Sequence, residues 1–133
     1  MNNYKLINKI PSVEDYMNLR ENTLGKKTLK EAKSAIENTW HGVYVVDGEK
    51  TVGIGRIVGD SGATFVLTDI CVLPNYQGHG IGSIILESLV NYYKENAPKN
   101  AFFTLLAKGD AKYLYKKFGF LENPEFTGMI FKN

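Results

Sequence analysis

The 133 residues give room for one domain of ordinary size, residues 1–133. Hydrophobic residues make up 44% and charged residues 23%, which excludes a disordered chain and supports a real core. A net charge of +2 is too small for a nucleic-acid binder, and a single cysteine rules out an internal disulfide and points to a reducing compartment. Met1–Lys5 lacks the apolar core of a signal peptide, and no apolar run is long enough to span a bilayer. A cytoplasmic protein without membrane or nucleic-acid partners is the expectation.

Tyr4 to Ile7 reads as a short first strand. Pro11-Ser12 opens a helix, with Ser12 as N-cap and Asp15 three residues on, and Leu24-Gly25 ends it. Thr28 caps a second helix with Glu31 at the capping-box position; Leu29, Ala32 and Ile36 form its apolar stripe. The period then changes from helical to strand-like. Gly42–Val46 and Thr51–Val58 flank the turn Asp47-Gly48, and Ala63–Val72 is a long central strand apolar on both faces. Ile81, Ile84, Ile85, Leu89 and Tyr92 stripe the next helix. Ala101–Leu106 reads as a buried strand, Asp110–Phe118 as a helix stopped by Gly119, and Phe126–Phe131 as a final strand. The order β-α-α-β-β-β-α-β-α-β predicts an α/β (α+β) sandwich with a mixed, largely antiparallel central sheet flanked by helices.

The segment carrying most chemical information joins the central strand to the third helix: Asp69-Ile70-Cys71-Val72-Leu73-Pro74-Asn75-Tyr76-Gln77-Gly78-His79-Gly80-Ile81-Gly82. Strand, glycine loop and helix start form a phosphate-binding geometry, since glycines admit close backbone approach and the first helical N–H groups are free. A dinucleotide fingerprint fails because Ser83 stands where its last glycine belongs, and a P-loop fails because Ile81-Gly82 follows Gly80 in place of Lys-Ser/Thr. The remaining pattern, Gln77-x-x-Gly80-x-Gly82, resembles the acyl-CoA pyrophosphate loop of the GNAT superfamily of acetyl-CoA-dependent N-acyltransferases. Ala111-x-x-x-Tyr115-x-x-x-Gly119-Phe120 resembles a second signature of that superfamily, and the predicted order of elements matches its architecture.

The resemblance implies acetyl transfer from acetyl-CoA to a primary amine, of a small molecule or a peptide, by direct attack. Backbone N–H groups of Gln77, Gly78, His79, Gly80, Ile81, Gly82 and Ser83 would take the pyrophosphate, aided by the helix dipole. Gln77 would brace the loop; His79 is either near phosphate or simply exposed. Ile70, Cys71 and Val72 would pair with the pantetheine arm through backbone groups, as an added strand would. Cys71, in a strand that reads as buried, is an inert core thiol. Ala111 would admit the cofactor by being small. Tyr115 aligns with the tyrosine near the cofactor sulfur; a phenol pKa of about 10 leaves it protonated and able to supply a departing thiolate.

A general base is harder to place, because Ala101–Leu106 carries no acid. Asp69 is the nearest candidate; loop capping, binding of the substrate ammonium, proton removal through ordered water, or binding of the already neutral amine remain open beside it. The resemblance implies an acceptor pocket between the first two helices and the final strands, with Arg20, Glu21, Trp40, Tyr44 and Phe126 as its candidate contacts. No His/Cys/Glu cluster has metal spacing, so no metal is expected. A non-catalytic CoA-binding sensor or partner subunit is the alternative function, and either a monomer or a homodimer fits.

Overall fold

The computed structural model describes residues 3–133; Met1 and Asn2, where the stretch read for a leader begins, lie outside them. Strand β1 (Tyr4–Ile7) leads into α1 (Val13–Glu21) and α2 (Leu29–Glu37). Both helices begin as their caps dictate. The Asp15 N–H donates to Ser12 Oγ, and Thr28 and Glu31 close a reciprocal capping box. Then come β2 (His41–Asp47), β3 (Lys50–Gly59), β4 (Thr64–Val72), a 3₁₀ turn (Pro74–Tyr76), α3 (Ile81–Asn96), β5 (Phe102–Thr104) and α4 (Ala111–Lys116).

The strands lie in the order β1-β2-β3-β4-β5, antiparallel except for the parallel β4–β5 pair. Gly48, at φ +63°, turns β2 into β3, where glycine is at ease and a β-carbon is not. Helices α1 and α3 pack on opposite faces of the sheet. Val43, Val45, Val52, Ile54, Ile57, Phe65, Leu67, Ile81, Ile85, Leu86 and Leu89 are buried in the resulting core, together with Tyr16, Leu19 and Ala32 from the first two helices. Apolar surface contributes about 25 cal/mol per Å² removed from water, so this two-sided burial is the main term holding the layers together.

Two features of the sheet position the site. The first is a β-bulge. Ile54 pairs with Cys71 and Arg56 with Thr68, so Asp69 and Ile70 together oppose Gly55 alone. Thr68 and Asp69 therefore share one face, toward α1 and α2, while Ile70 turns to the α3 side against Gly55, whose missing side chain leaves that space free. Asp69 carries the local strain, with φ +54°. The second is a split. β4 and β5 pair only over Thr64↔Phe102, Phe65↔Phe103 and Val66↔Thr104, after which the two strands separate.

The expected Ala101–Leu106 strand is shorter than its apolar composition suggests and is not buried: Phe102 is 50% exposed and Leu106 60%. The expected final strand over Phe126–Phe131 does not form. Those residues are apolar enough for a strand, but they make no ladder with β5; Phe126 packs on Phe102, and Met129, Ile130 and Phe131 project into solvent. A strand exists only when its backbone groups find a partner edge, which local composition cannot provide.

Candidate active site

The glycine loop between β4 and α3 is pinned at three points. Gln77 Nε2 donates to the Val72 carbonyl (3.0 Å), the Tyr76 hydroxyl donates to Asp47 Oδ2 (3.0 Å), and His79 Nδ1 lies 2.7 Å from the Tyr4 hydroxyl. Gln77 thus braces the loop, and His79 is an exposed ring tied back to β1. Gly78 and Gly80 both lie in the left-handed region, at φ +81° and +83°. Gly80 is the N-cap of α3 and offers no side chain to its first turn. The first helical bond runs from Ile84 N–H to the Gly80 carbonyl, so the N–H groups of Ile81, Gly82 and Ser83 have no partner within the helix. This is a concentration of backbone donors at the positive end of a 16-residue helix, suited to an anion. Gly82 has a further role in packing: a β-carbon there would stand 3.2 Å from Leu114 Cδ2, so its lack of one lets α4 lie on the start of α3.

Ile70, Cys71 and Val72 lie on β4 beyond the split, where β5 no longer pairs with it. Tyr115, on α4, is half-buried; burial raises its phenol pKa and the nearby Cys71 thiol adds to that. Cys71 itself is buried, and its thiol is pushed up to about 11 by loss of solvent, with Asp69 adding to the rise while Thr23 and Arg20 oppose it. A thiol so held is an inert packing group. Ala111, the first residue of α4, is exposed. The loop follows directly on Ile70–Val72, and α4, which carries Tyr115, lies on the start of α3 through Leu114.

On the α1–α2 face the bulge delivers Asp69 into a charged cluster. The Tyr16 hydroxyl donates to Oδ2 (2.6 Å), Arg20 Nη1 to Oδ1 (2.9 Å) and Arg56 Nε to Oδ2 (2.7 Å). Arg56 Nη1 also donates to the Ala35 carbonyl and to Thr39 Oγ1. Burial pushes the Asp69 carboxyl up, but the Tyr16 hydroxyl and the two guanidinium groups outweigh it and hold the pKa below the ordinary carboxylate value. Tyr16 moves the other way, to about 12, through burial and its bond to Asp69. A carboxylate with both oxygens engaged and a depressed pKa is poorly suited to accept a proton, so the geometry counts against Asp69 as general base.

Above this cluster is a cavity of about 660 Å³ lined by Tyr16, Arg20, Lys27, Lys30, Glu31, Ser34, Ala35, Arg56, Thr68 and Asp69. Of the acceptor contacts expected from sequence, only Arg20 lines it. Trp40 packs on Phe65 and Tyr92 on the α3 side, Phe126 lies tilted against Phe102, Glu21 is exposed and Tyr44 is absent from the lining. Arg56, Lys27 and Lys30 escaped sequence reading. Arg56 had one legible signal, a lone cation at the centre of an otherwise apolar strand, Thr51–Val58. Among the described residues no group of three or more His, Cys, Asp or Glu could hold a metal ion, and no helix is long and apolar enough to cross a membrane.

An antiparallel sheet that splits at its one parallel pair, with a glycine-capped helix at the split, defines the GNAT acetyltransferase class. The chain belongs to it: residues 38–122 match the acetyltransferase (GNAT) domain family. A probable acetyltransferase from methicillin-resistant Staphylococcus aureus superposes with a TM-score of 0.89 at 36% identity, over 98% of this chain and 99% of that one. The uncharacterized N-acetyltransferase YjcF of Bacillus subtilis is 33% identical over 86% of this chain and 83% of its own length. The uncharacterized N-acetyltransferase ycf52 of Pyropia yezoensis is 28% identical over 75% of this chain, which spans only 59% of that relative's length.

Proposed function

We propose that the protein is an N-acetyltransferase that moves an acetyl group from acetyl-CoA directly to a primary amine of a small molecule or peptide. The observation that carries this reading is the coincidence of three parts: the left-handed glycine loop at the α3 N-terminus, the split of β4 from β5, and α4, bearing Tyr115, packed on the start of α3 through Leu114. The residues present fit the co-substrate. The unpartnered N–H groups at Ile81–Ser83 and the loop Gln77–Gly80 would hold its pyrophosphate, and the backbone of Ile70–Val72 would line its arm. Acetyl-CoA, when bound, supplies an acetyl group activated as a thioester.

Every other task falls to the chain. Tyr115 keeps its proton on the phenol oxygen at neutral pH, because burial raises its pKa, and donates it to a departing thiolate. Asp69 fixes Arg20, Arg56 and Tyr16 in one arrangement, a positioning role in place of the base role. The segment Ala101–Leu106 carries no acid and Asp69 is committed to its three donors, so the amine's proton is routed to water before attack. The buried, unpaired Cys71 supports a reducing, cytoplasmic setting.

The test is release of free thiol from acetyl-CoA against a panel of amines, beside calorimetry of acetyl-CoA binding. Turnover with at least one amine is expected. Tight binding with no turnover of any amine would establish the sensor function instead, and absence of binding would overturn both.

A further inference from the structure

The lining of the α1–α2 cavity carries more positive than negative charge. Its lining holds four cations, Arg20, Lys27, Lys30 and Arg56, against two carboxylates, Glu31 and Asp69. Neither carboxylate is free. Glu31 is committed to the capping box, where its Oε1 accepts from the Thr28 N–H (2.9 Å), and Asp69 is shared between two guanidinium groups. The two arginines keep only 15% and 13% of their side-chain surface in contact with solvent. One carboxylate against two largely buried guanidinium ions leaves a net cation where solvation is poor.

The hydrogen-bond count points the same way. Arg20 Nη1 is engaged with Asp69, but Arg20 Nε is buried without any partner among the described residues. That leaves the Nε side of the guanidinium, the edge that forks onto a carboxylate or phosphate, unpaired. Lys27 and Lys30 stand at the α2 end of the same cavity. The cavity also adjoins the split: Thr68 and Asp69, which line it, stand on β4 immediately before Ile70–Val72.

We infer that the acceptor amine carries an anionic group, a carboxylate or a phosphate, received by Arg20 and Arg56 with Lys27 and Lys30 at the rim. This rests on the acetyltransferase reading above. The anion completes the charge balance around Asp69 and orients the amine at the other end of the molecule toward the β4 split. The volume, about 660 Å³, suits a small molecule or the end of a peptide.

Matched acceptor pairs test it: β-alanine against its amide, and O-phosphoethanolamine against ethanolamine. The anionic member of at least one pair should show kcat/KM about tenfold or more higher, the factor expected for a charge-assisted hydrogen bond. The pair with the larger ratio identifies the anion. K27A/K30A alters only the rim, so its fold should hold; it should lower that ratio severalfold while leaving acetyl-CoA affinity unchanged. A binding arm needs no turnover: calorimetry of N-acetyl-β-alanine and of inorganic phosphate, with wild type and K27A/K30A. Saturable binding of either, weakened severalfold in the variant, supports the inference even if no amine is acetylated, a result that would count against the acetyltransferase reading alone. Equal rates within both pairs, or no binding of either anion, would overturn it and leave that reading standing wherever turnover is seen.

Discussion

Asp69 is the residue on which the site is organised. It has a positive φ, sits in a bulge, and accepts from Tyr16, Arg20 and Arg56 within 2.6–2.9 Å. Asp69→Asn keeps its shape but removes the charge that two guanidinium groups share. The expected loss of stability is about 3 kcal/mol, the lower end for breaking a buried ion pair, because both arginines retain some solvent contact. Urea unfolding of the variant beside wild type measures it; a loss below about 1 kcal/mol would mean that the cluster is solvated as if on the surface. Tyr115 invites the opposite experiment. Tyr115→Phe keeps the ring that packs against Phe120 and the core, so the melting temperature should hold while kcat falls by about 10²-fold, the loss expected for a missing general acid. Steady-state kinetics with the best amine decide this, and full activity in the Phe variant would return Tyr115 to core packing.

Among the elements, the loop before α3 is the one whose conformation is tied most directly to its residue types. Gly80 stands at φ +83°, with nothing within 4 Å of where a β-carbon would be. Gly80→Val therefore meets no packing clash; it fails through backbone strain of about 1–2 kcal/mol and by filling the space above the α3 N–H groups. Acetyl-CoA affinity should fall by tenfold or more in a variant whose far-UV circular dichroism matches wild type. Unchanged affinity by calorimetry would remove the loop from the binding site. The β4 bulge is the element that converts a core strand into a site. In an uninterrupted strand Thr68 and Asp69 would face opposite sides, and Asp69 would enter the apolar layer under α3.

At the scale of the whole molecule the charges set the response to acid. Asp69 and Asp60 both ionise below the ordinary carboxylate range, Asp69 because its three donors outweigh burial and Asp60, at about 2, because the Thr64, Gly62 and Ala63 N–H groups donate to it. A group whose folded pKa lies below its unfolded value stabilises the fold fully above the unfolded value, about 3.9 for Asp. That contribution drains away as pH falls from there through the folded values, and for Asp60 the loss continues to about pH 2. Melting temperature should therefore be flat on this account above about pH 5 and fall steeply below pH 4. Asp69→Asn should flatten part of the fall; an equal acid response in both proteins would detach the Asp69 cluster from folding stability.

Local chemistry was enough to read most elements from the sequence. Ser12 and Thr28 mark helix starts, Asp47-Gly48 a hairpin, and the spaced glycines a loop before a helix, each because the signal and its partner lie within a few residues. The Gln77–Gly82 and Ala111–Phe120 patterns were likewise readable as family signatures, since each falls on a fixed short spacing. The final strand misled because apolar composition promises a strand that only a pairing edge can complete. The cavity was invisible for a related reason: Arg20, Arg56 and Asp69 come from α1, β3 and β4, separated by 36 and 13 residues along the chain. Two arginines and one aspartate are ordinary surface residues in a sequence. It is the one-residue bulge at Asp69, a matter of register between two strands, that turns the carboxylate to the arginines and makes them a site.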